Sequence, residues 1–274
     1  MSVIKCPNCS EQLLKVEANN LYKCINNHSF DMAKQGYVNL LISNKNKDLH
    51  HGDSKEMLEA RKAVLWNGYY KSISDTLNRR VLGLVKENCS VLDAGSGIGY
   101  YLIELKKNLN QNIDYYGIDI SKKGIIESAK KEKDIHWIVG STAKLPFMDE
   151  SVNVIISIFS PITLSEVERV LKPGGKFIVI SPNEHHLLEL KEEVYETILS
   201  RNYDQNEMIS NVLTKSYSET ILDEVDFKKD DLRNLLLMTP HYWRSSVESK
   251  EKLYSLDSLK VSIDVKLIEY TKDQ

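Results

Sequence analysis

The chain has only four cysteines in 274 residues, and three of them, with a histidine, fall within its first 28 positions. No apolar run approaches the roughly 20 residues needed to span a bilayer. The longest candidate, VNVIISIFSPITL at 152–164, is short, broken by Pro161 and reads as a buried strand. A secretory leader is missing too, because cysteines and polar residues arrive where a charged and then apolar stretch would stand. There is no internal repeat, no low-complexity tract and no large excess of either charge, the net value being −3. These absences argue against a membrane-spanning chain and against a surface coated in charge for nucleic acid, though not against a local basic patch. A cytoplasmic location is expected, where thiols stay reduced and clustered cysteines hold metal more often than they form disulfides.

What is present is ordinary in bulk: 42% hydrophobic and 27% charged residues, enough to bury a large core in one enlarged domain or two unequal ones. Three sections are visible: residues 1–36 as a Cys/His module, 37–88 as a linker with helices, and 89–274 as a larger domain. Residues 1–50 carry six lysines against four acids, a positive end on a negative chain.

In the second section the polar stretch SNKNKDLHHGDS precedes apolar residues Met57, Leu58, Ala60, Val64 and Leu65 at helical spacing, with Asp53 or Ser54 as N-cap. A second helix is expected from Tyr70 to Val85. From Ser90 strands and helices alternate: SVLDAG, then helical YYLIELKKNL; NIDYYGIDIS, then GIIESAKK; DIHWIVG; SVNVIISIF, then TLSEVERVLK; and GKFIVIS. Repeated βαβ units predict an α/β domain with a mostly parallel sheet covered on both faces. The last hundred residues are less regular, with LKEEVYETILS and DDLRNLLLM helical and LDSLKVSIDVKLIEY alternating like a half-exposed strand.

VLDAGSGIGYY follows a strand and opens a helix, the setting of a ligand-binding glycine turn. Its spacing is G-x-G-x-G, through Gly95, Gly97 and Gly99, whereas a dinucleotide fingerprint needs G-x-G-x-x-G to seat a pyrophosphate. A ligand without phosphate fits better. Asp119, closing the second strand, is placed to accept from a ribose diol. STAKLPFMDESVNVI and ERVLKPGGKFIVISP resemble the later motifs of class I S-adenosylmethionine-dependent methyltransferases. That resemblance implies a Rossmann-like, seven-stranded sheet and a cofactor site including Asp93, Gly95, Gly97, Ile98, Gly99, Asp119 and Ser141. Ser141 stands where many relatives carry an acid for the adenine amino group, so a hydroxyl or backbone group must serve there.

Cys6-x2-Cys9-x14-Cys24-x3-His28 supplies two pairs of ligands suited to one tetrahedral zinc, and four protein ligands make that zinc structural. A segment this short draws much of its folding free energy from the metal. Cys89 reads as a buried apolar residue, and His50 and His51 as loop residues or spare ligands.

The combination of CPNC, C-x3-H-SFDMAKQGYVNLL, HGDSKEMLEARKAVL, LDAGSGIGYY, SPNEHHLLELKEEVY and LLLMTPHYWR resembles the 23S ribosomal RNA guanine-N1-methyltransferases, some associated with tylosin and related macrolide resistance. The resemblance covers nearly the whole chain. It implies zinc at Cys6, Cys9, Cys24 and His28, cofactor contacts at Tyr70, Gly97 through Gly99 and His186, a 23S rRNA hairpin as substrate, and a homodimer. FSPIT is nearer the Gram-positive, macrolide-linked subgroup. Tyr242 and Trp243 are candidates for base stacking, and Arg244 and Arg61 for contacts to RNA, with Ser160 near the base edge. Two rival readings remain: a methyltransferase of a small metabolite with a zinc module for assembly, and a zinc-anchored RNA-binding scaffold without activity.

Overall fold

The computed structural model describes residues 2–42, 54–109, 112–161, 163–198 and 205–273, so His50, His51 and Asp53 lie outside the described residues. At the N-terminal end two tight knuckles form. The Ser10 N–H donates to the Cys6 carbonyl at 2.9 Å and the Asn27 N–H to that of Cys24 at 3.0 Å. Between and after them run three short antiparallel strands, β1 (Leu14–Val16), β2 (Leu21–Lys23) and β3 (Ser29–Asp31), in the order β1-β2-β3. Strands of three residues cannot bury a core of their own. Ile4, Leu13 and Tyr22 are buried instead in one cluster with Tyr116, Leu145 and Phe147 of the larger domain.

That larger domain is a single sheet ordered β10-β11-β9-β8-β5-β6-β7-β4. Its strands are β4 (Tyr37–Asn39), β5 (Cys89–Ala94), β6 (Ile113–Asp119), β7 (His136–Val139), β8 (Val152–Ile158), β9 (Leu171–Pro182), β10 (Thr214–Lys228) and β11 (Ser258–Thr271). Strands β4 to β9 pair in parallel, and β11 and β10 add antiparallel at one edge. Val91, Leu92, Ile155, Ile156 and Ile178 are wholly buried, because crossover helices cover both faces and leave no solvated side.

The sheet has eight strands rather than the seven expected. The additional one is β4, at the start of the segment expected as linker, which pairs with β7 through Tyr37, Val38 and Asn39. The N-terminal module is thus continuous with the sheet edge.

Helix α1 (Lys55–Trp66) is capped by Ser54, whose hydroxyl accepts from Met57 N–H at 3.2 Å, and α2 (Lys71–Leu82) follows after Tyr70. Helices α3 (Tyr100–Asn108), α4 (Lys122–Lys131) and α5 (Leu164–Val170) are the crossovers. The C-terminal part contributes α6 (Leu188–Val194), α7 (Gln205–Ser210), α8 (Lys229–Leu237) and α9 (Val247–Ser255). Two expectations shift. The helix expected over LKEEVYETILS ends at Val194, with Tyr195 already extended, and a 15-residue strand, β10, stands where no strand was expected. The sheet order reverses between β5 and β8, which opens a crevice at the C-terminal ends of those strands. Among the described residues no helix is long and apolar enough to cross a membrane.

Candidate active site and metal centre

The knuckles bring Cys6, Cys9, Cys24 and His28 together so that their ligand atoms all lie within 4.8 Å of one another. Cys9 Sγ stands 3.7 Å from Cys24 Sγ and 3.3 Å from His28 Nδ1, and Cys24 Sγ stands 3.5 Å from the same nitrogen. Thiolates bound at about 2.3 Å to one tetrahedral ion sit about 3.8 Å apart, so the four residues fit zinc with no position left for substrate. The backbone at Glu11 stabilises the Cys9 thiolate and draws its pKa down to about 6, whereas burial pushes the Cys6 thiol up. Cys89 is only partly buried and plays no part in the cluster.

At the crevice, β5 ends in Asp93 and Ala94 and the chain turns through Gly95, Gly97 and Gly99, all with positive φ. Glycine is required at two of them for lack of room. A Cβ at Gly95 would fall on the Ser160 hydroxyl, and one at Gly99 would come within 2.5 Å of the Trp137 ring. The turn is held by Asp119 at the tip of β6, whose carboxylate accepts from the Gly97 N–H at 2.8 Å and the Ser121 N–H at 2.7 Å. Asp93 is buried beside it, and burial, with the Asp119 charge second, pushes its carboxyl up to about 8. Ser96 Oγ and Tyr101 Oη are buried with no hydrogen-bond partner among the described residues. Orphaned polar atoms around an open glycine turn mark a place prepared for a polar ligand, which suits the methionine end of S-adenosylmethionine.

The predicted cofactor residues are spread around that turn. Ile98 packs its side chain into the core, so only its backbone faces a ligand. Ser141 follows β7, and its hydroxyl is engaged in its own turn, accepting from Ala143 N–H at 3.2 Å. Tyr70 is 2% exposed and meets Phe159 and His186 edge-on, with ring centroids 6.2 and 6.1 Å away. His186 stacks on Phe159 at 5.6 Å with rings 20° from parallel. Burial lowers the His186 pKa to about 4, and its Nδ1 is buried without a hydrogen-bond partner among the described residues.

Phe159 closes the strand expected over SVNVIISIF, yet β8 ends at Ile158 and Phe159 turns out with φ +52°, 43% exposed. Pro161, two residues on, is the signal in the sequence, since proline has no N–H to give to a sheet ladder and cannot continue a central strand. Lys191 and His241, which no motif of the sequence singles out, lie close enough to His186 to bear on its titration. They belong to α6 and to the 3-10 turn Pro240–Arg244, so that turn borders the same rim. Of the RNA candidates on it, Tyr242 is packed against the core under Lys250, Trp243 is 68% exposed and Arg244 is exposed. Arg61 departs from expectation: it is half-buried, with its guanidinium above the glycine turn near Gly97.

A fold of this order, with a glycine turn at the switch point, defines a class I methyltransferase, and residues 85–236 match the family described as "Methyltransferase domain". The chain belongs to that family, and its cofactor is S-adenosylmethionine. Residues 4–47 match the zinc ribbon described as "RlmA, N-terminal". A Streptomyces fradiae protein named 23S rRNA (guanine(748)-N(1))-methyltransferase is 30% identical over 191 residues, 68% of this chain and 66% of that protein. A Bacillus subtilis (strain 168) protein, provisionally named 23S rRNA (guanine-N(1)-)-methyltransferase, is 27% identical over 97% of this chain and 96% of its own length. A chain from the complex of the Haloferax volcanii Trm112 methyltransferase activator with a methyltransferase shares the fold at a TM-score of 0.53 and 21% identity, covering 81% of this chain and 100% of that one.

Proposed function

We propose that this protein transfers the methyl group of S-adenosylmethionine to N1 of a guanine in a 23S rRNA hairpin loop, acting in the cytoplasm on RNA and as a homodimer. The observation that carries the reading is the pairing of the zinc ribbon with the methyltransferase domain, with similarity over 96% of one relative named for that reaction and 66% of another. Similarity to quinone methyltransferases exists but is partial, as with the 26% identity over 56% of this chain to demethylmenaquinone methyltransferase of Lactobacillus johnsonii.

When bound, the cofactor supplies an electrophilic methyl group on a positively charged sulfur. The chain's task is to hold the acceptor in line and exclude water. Guanine N1 is paired in a helix, so the base must be unpaired or turned out of its stack to be reached. Phe159, held outward by its left-handed backbone, offers a face for that base, and the Ser160 hydroxyl lies next to it at the glycine turn. Guanine N1 also carries a proton that must leave. His186 borders the crevice with a buried, unpartnered Nδ1 among the described residues; burial makes it a weak base, so it serves as acceptor once methyl transfer has made that proton strongly acidic. Zinc at Cys6, Cys9, Cys24 and His28 shapes the ribbon, and Trp243 and Arg244 at the rim are the proposed RNA contacts.

The test follows labelled methyl transfer to 23S rRNA and to a quinone acceptor with wild-type protein and His186→Gln. Transfer to rRNA alone, falling about 100-fold or more in turnover in the variant while cofactor affinity changes only severalfold, supports the proposal. Transfer to the quinone instead would overturn the substrate. An equal loss of turnover and cofactor affinity would reduce His186 to a cofactor contact.

A further inference from the structure

Helix α1 reaches the crevice with its orientation fixed. Its Ser54 cap sets the start, and Lys62 ties it to α4 through Glu127, at 3.0 Å. α4 itself lies against the glycine turn: a Cβ at Gly124 would come within 2.6 Å of the Gly97 carbonyl, and Ser128 donates to that carbonyl at 3.4 Å. Arg61, next to Lys62, is thereby turned over the same turn, where a Cβ at Gly97 would stand 3.7 Å from Arg61 Nη1. Tyr101 lies close enough to Tyr70, Asp93 and Arg61 for each to bear on its hydroxyl. The Arg61 guanidinium, the buried Asp93 carboxyl at the end of β5, and the Ser96 and Tyr101 hydroxyls, buried without hydrogen-bond partners among the described residues, thus all belong to the glycine turn and its flanks.

The methionine end of S-adenosylmethionine carries an α-carboxylate and an α-ammonium. We infer that Arg61 binds the α-carboxylate, with the Ser96 and Tyr101 hydroxyls completing that pocket and Asp93 facing the ammonium. A planar guanidinium with a fork of donors suits a carboxylate. An RNA phosphate would have to enter the turn itself to meet this half-buried side chain, in the place the cofactor takes. The inference rests on the cofactor assignment and is separate from the choice of RNA as substrate.

The experiment compares two cofactor analogues by calorimetry: S-adenosylhomocysteine, which keeps the amino-acid end, and 5′-methylthioadenosine, which lacks it. Arg61→Ala weakens S-adenosylhomocysteine about 10- to 100-fold, as loss of a charged hydrogen-bonding pair should, and leaves methylthioadenosine within about twofold. Arg61→Lys recovers part of the loss, because it restores charge without the fork. Equal weakening of both analogues would overturn the inference by showing a general effect on the turn. So would unchanged binding of both with a lower affinity for 23S rRNA, which would make Arg61 a phosphate contact. Failure of the wild-type protein to bind either analogue would overturn the inference together with the cofactor assignment beneath it.

Discussion

Asp93 and His186 sit in the same crevice, and burial moves both toward the uncharged form, which for the acid means upward and for the base downward. The consequences for stability are opposite. Between about pH 4 and 8 native Asp93 holds a proton that the unfolded chain has lost, so its contribution favours folding at low pH and drains away as pH rises through that window. His186 contributes stability that is present above about pH 6.5 and lost as pH falls toward about 4. Asp93→Asn removes the first slope. The variant should therefore melt higher than wild type at pH 8, by about 2–4 °C for each kcal/mol regained, while binding S-adenosylmethionine about tenfold or more weakly. Thermal melts and calorimetry at pH 6 and 8 check both. A variant that melts lower at pH 8 and binds normally would show that Asp93 is a structural group rather than one kept strained for a cation. The residues of this site were unequally legible in sequence. The glycines announce themselves because few other places need three positive-φ positions in five residues. Arg61 did not, because helical periodicity tells which face a residue occupies but not that α4 would turn that face onto Gly97.

The zinc ribbon is an element too small to stand alone, and its attachment shows where its stability comes from. Ile4 bridges Phe147, the Lys5 N–H donates to the Pro146 carbonyl at 2.9 Å, the Tyr22 hydroxyl meets His136 Nδ1 at 3.2 Å, and β4 extends the main sheet. Lys5 also joins Asp149, which is paired with Arg169 on α5 at 2.6 Å. Metal and methyltransferase domain are thus mechanically joined. Removing zinc with a chelator should lower the melting temperature of the whole chain in one transition, and Phe147→Ala, which empties a fully buried site between the two parts, should cost about 3–5 kcal/mol. A chelated protein that keeps its main transition unchanged would contradict this coupling. The ligand spacing was readable from sequence, as was the alternation from β5 to β9, because both are local patterns. β4 and β10 were not. A three-residue strand carries no period of its own, and in β10 Glu219 and Asp223 interrupt the inward face of Tyr217, Ile221, Val225 and Phe227 while Leu222 faces out, which breaks the apolar alternation.

For the molecule as a whole, a net charge of −3 means that an RNA substrate is held by local features and not by a general positive field. The proposed RNA contacts lie on one rim: Phe159 and His186 at the sheet end, and Trp243 and Arg244 on the neighbouring turn. The central claim is that a guanine of large-subunit rRNA enters there and leaves methylated on N1. Its most direct test is to incubate the zinc-loaded protein with S-adenosylmethionine and unmethylated 23S rRNA, digest to nucleosides and look by mass spectrometry for 1-methylguanosine. 1-Methylguanosine should form and map to a single hairpin loop. Cofactor binding without any methylated nucleoside, or a methyl group on another base, would contradict the claim.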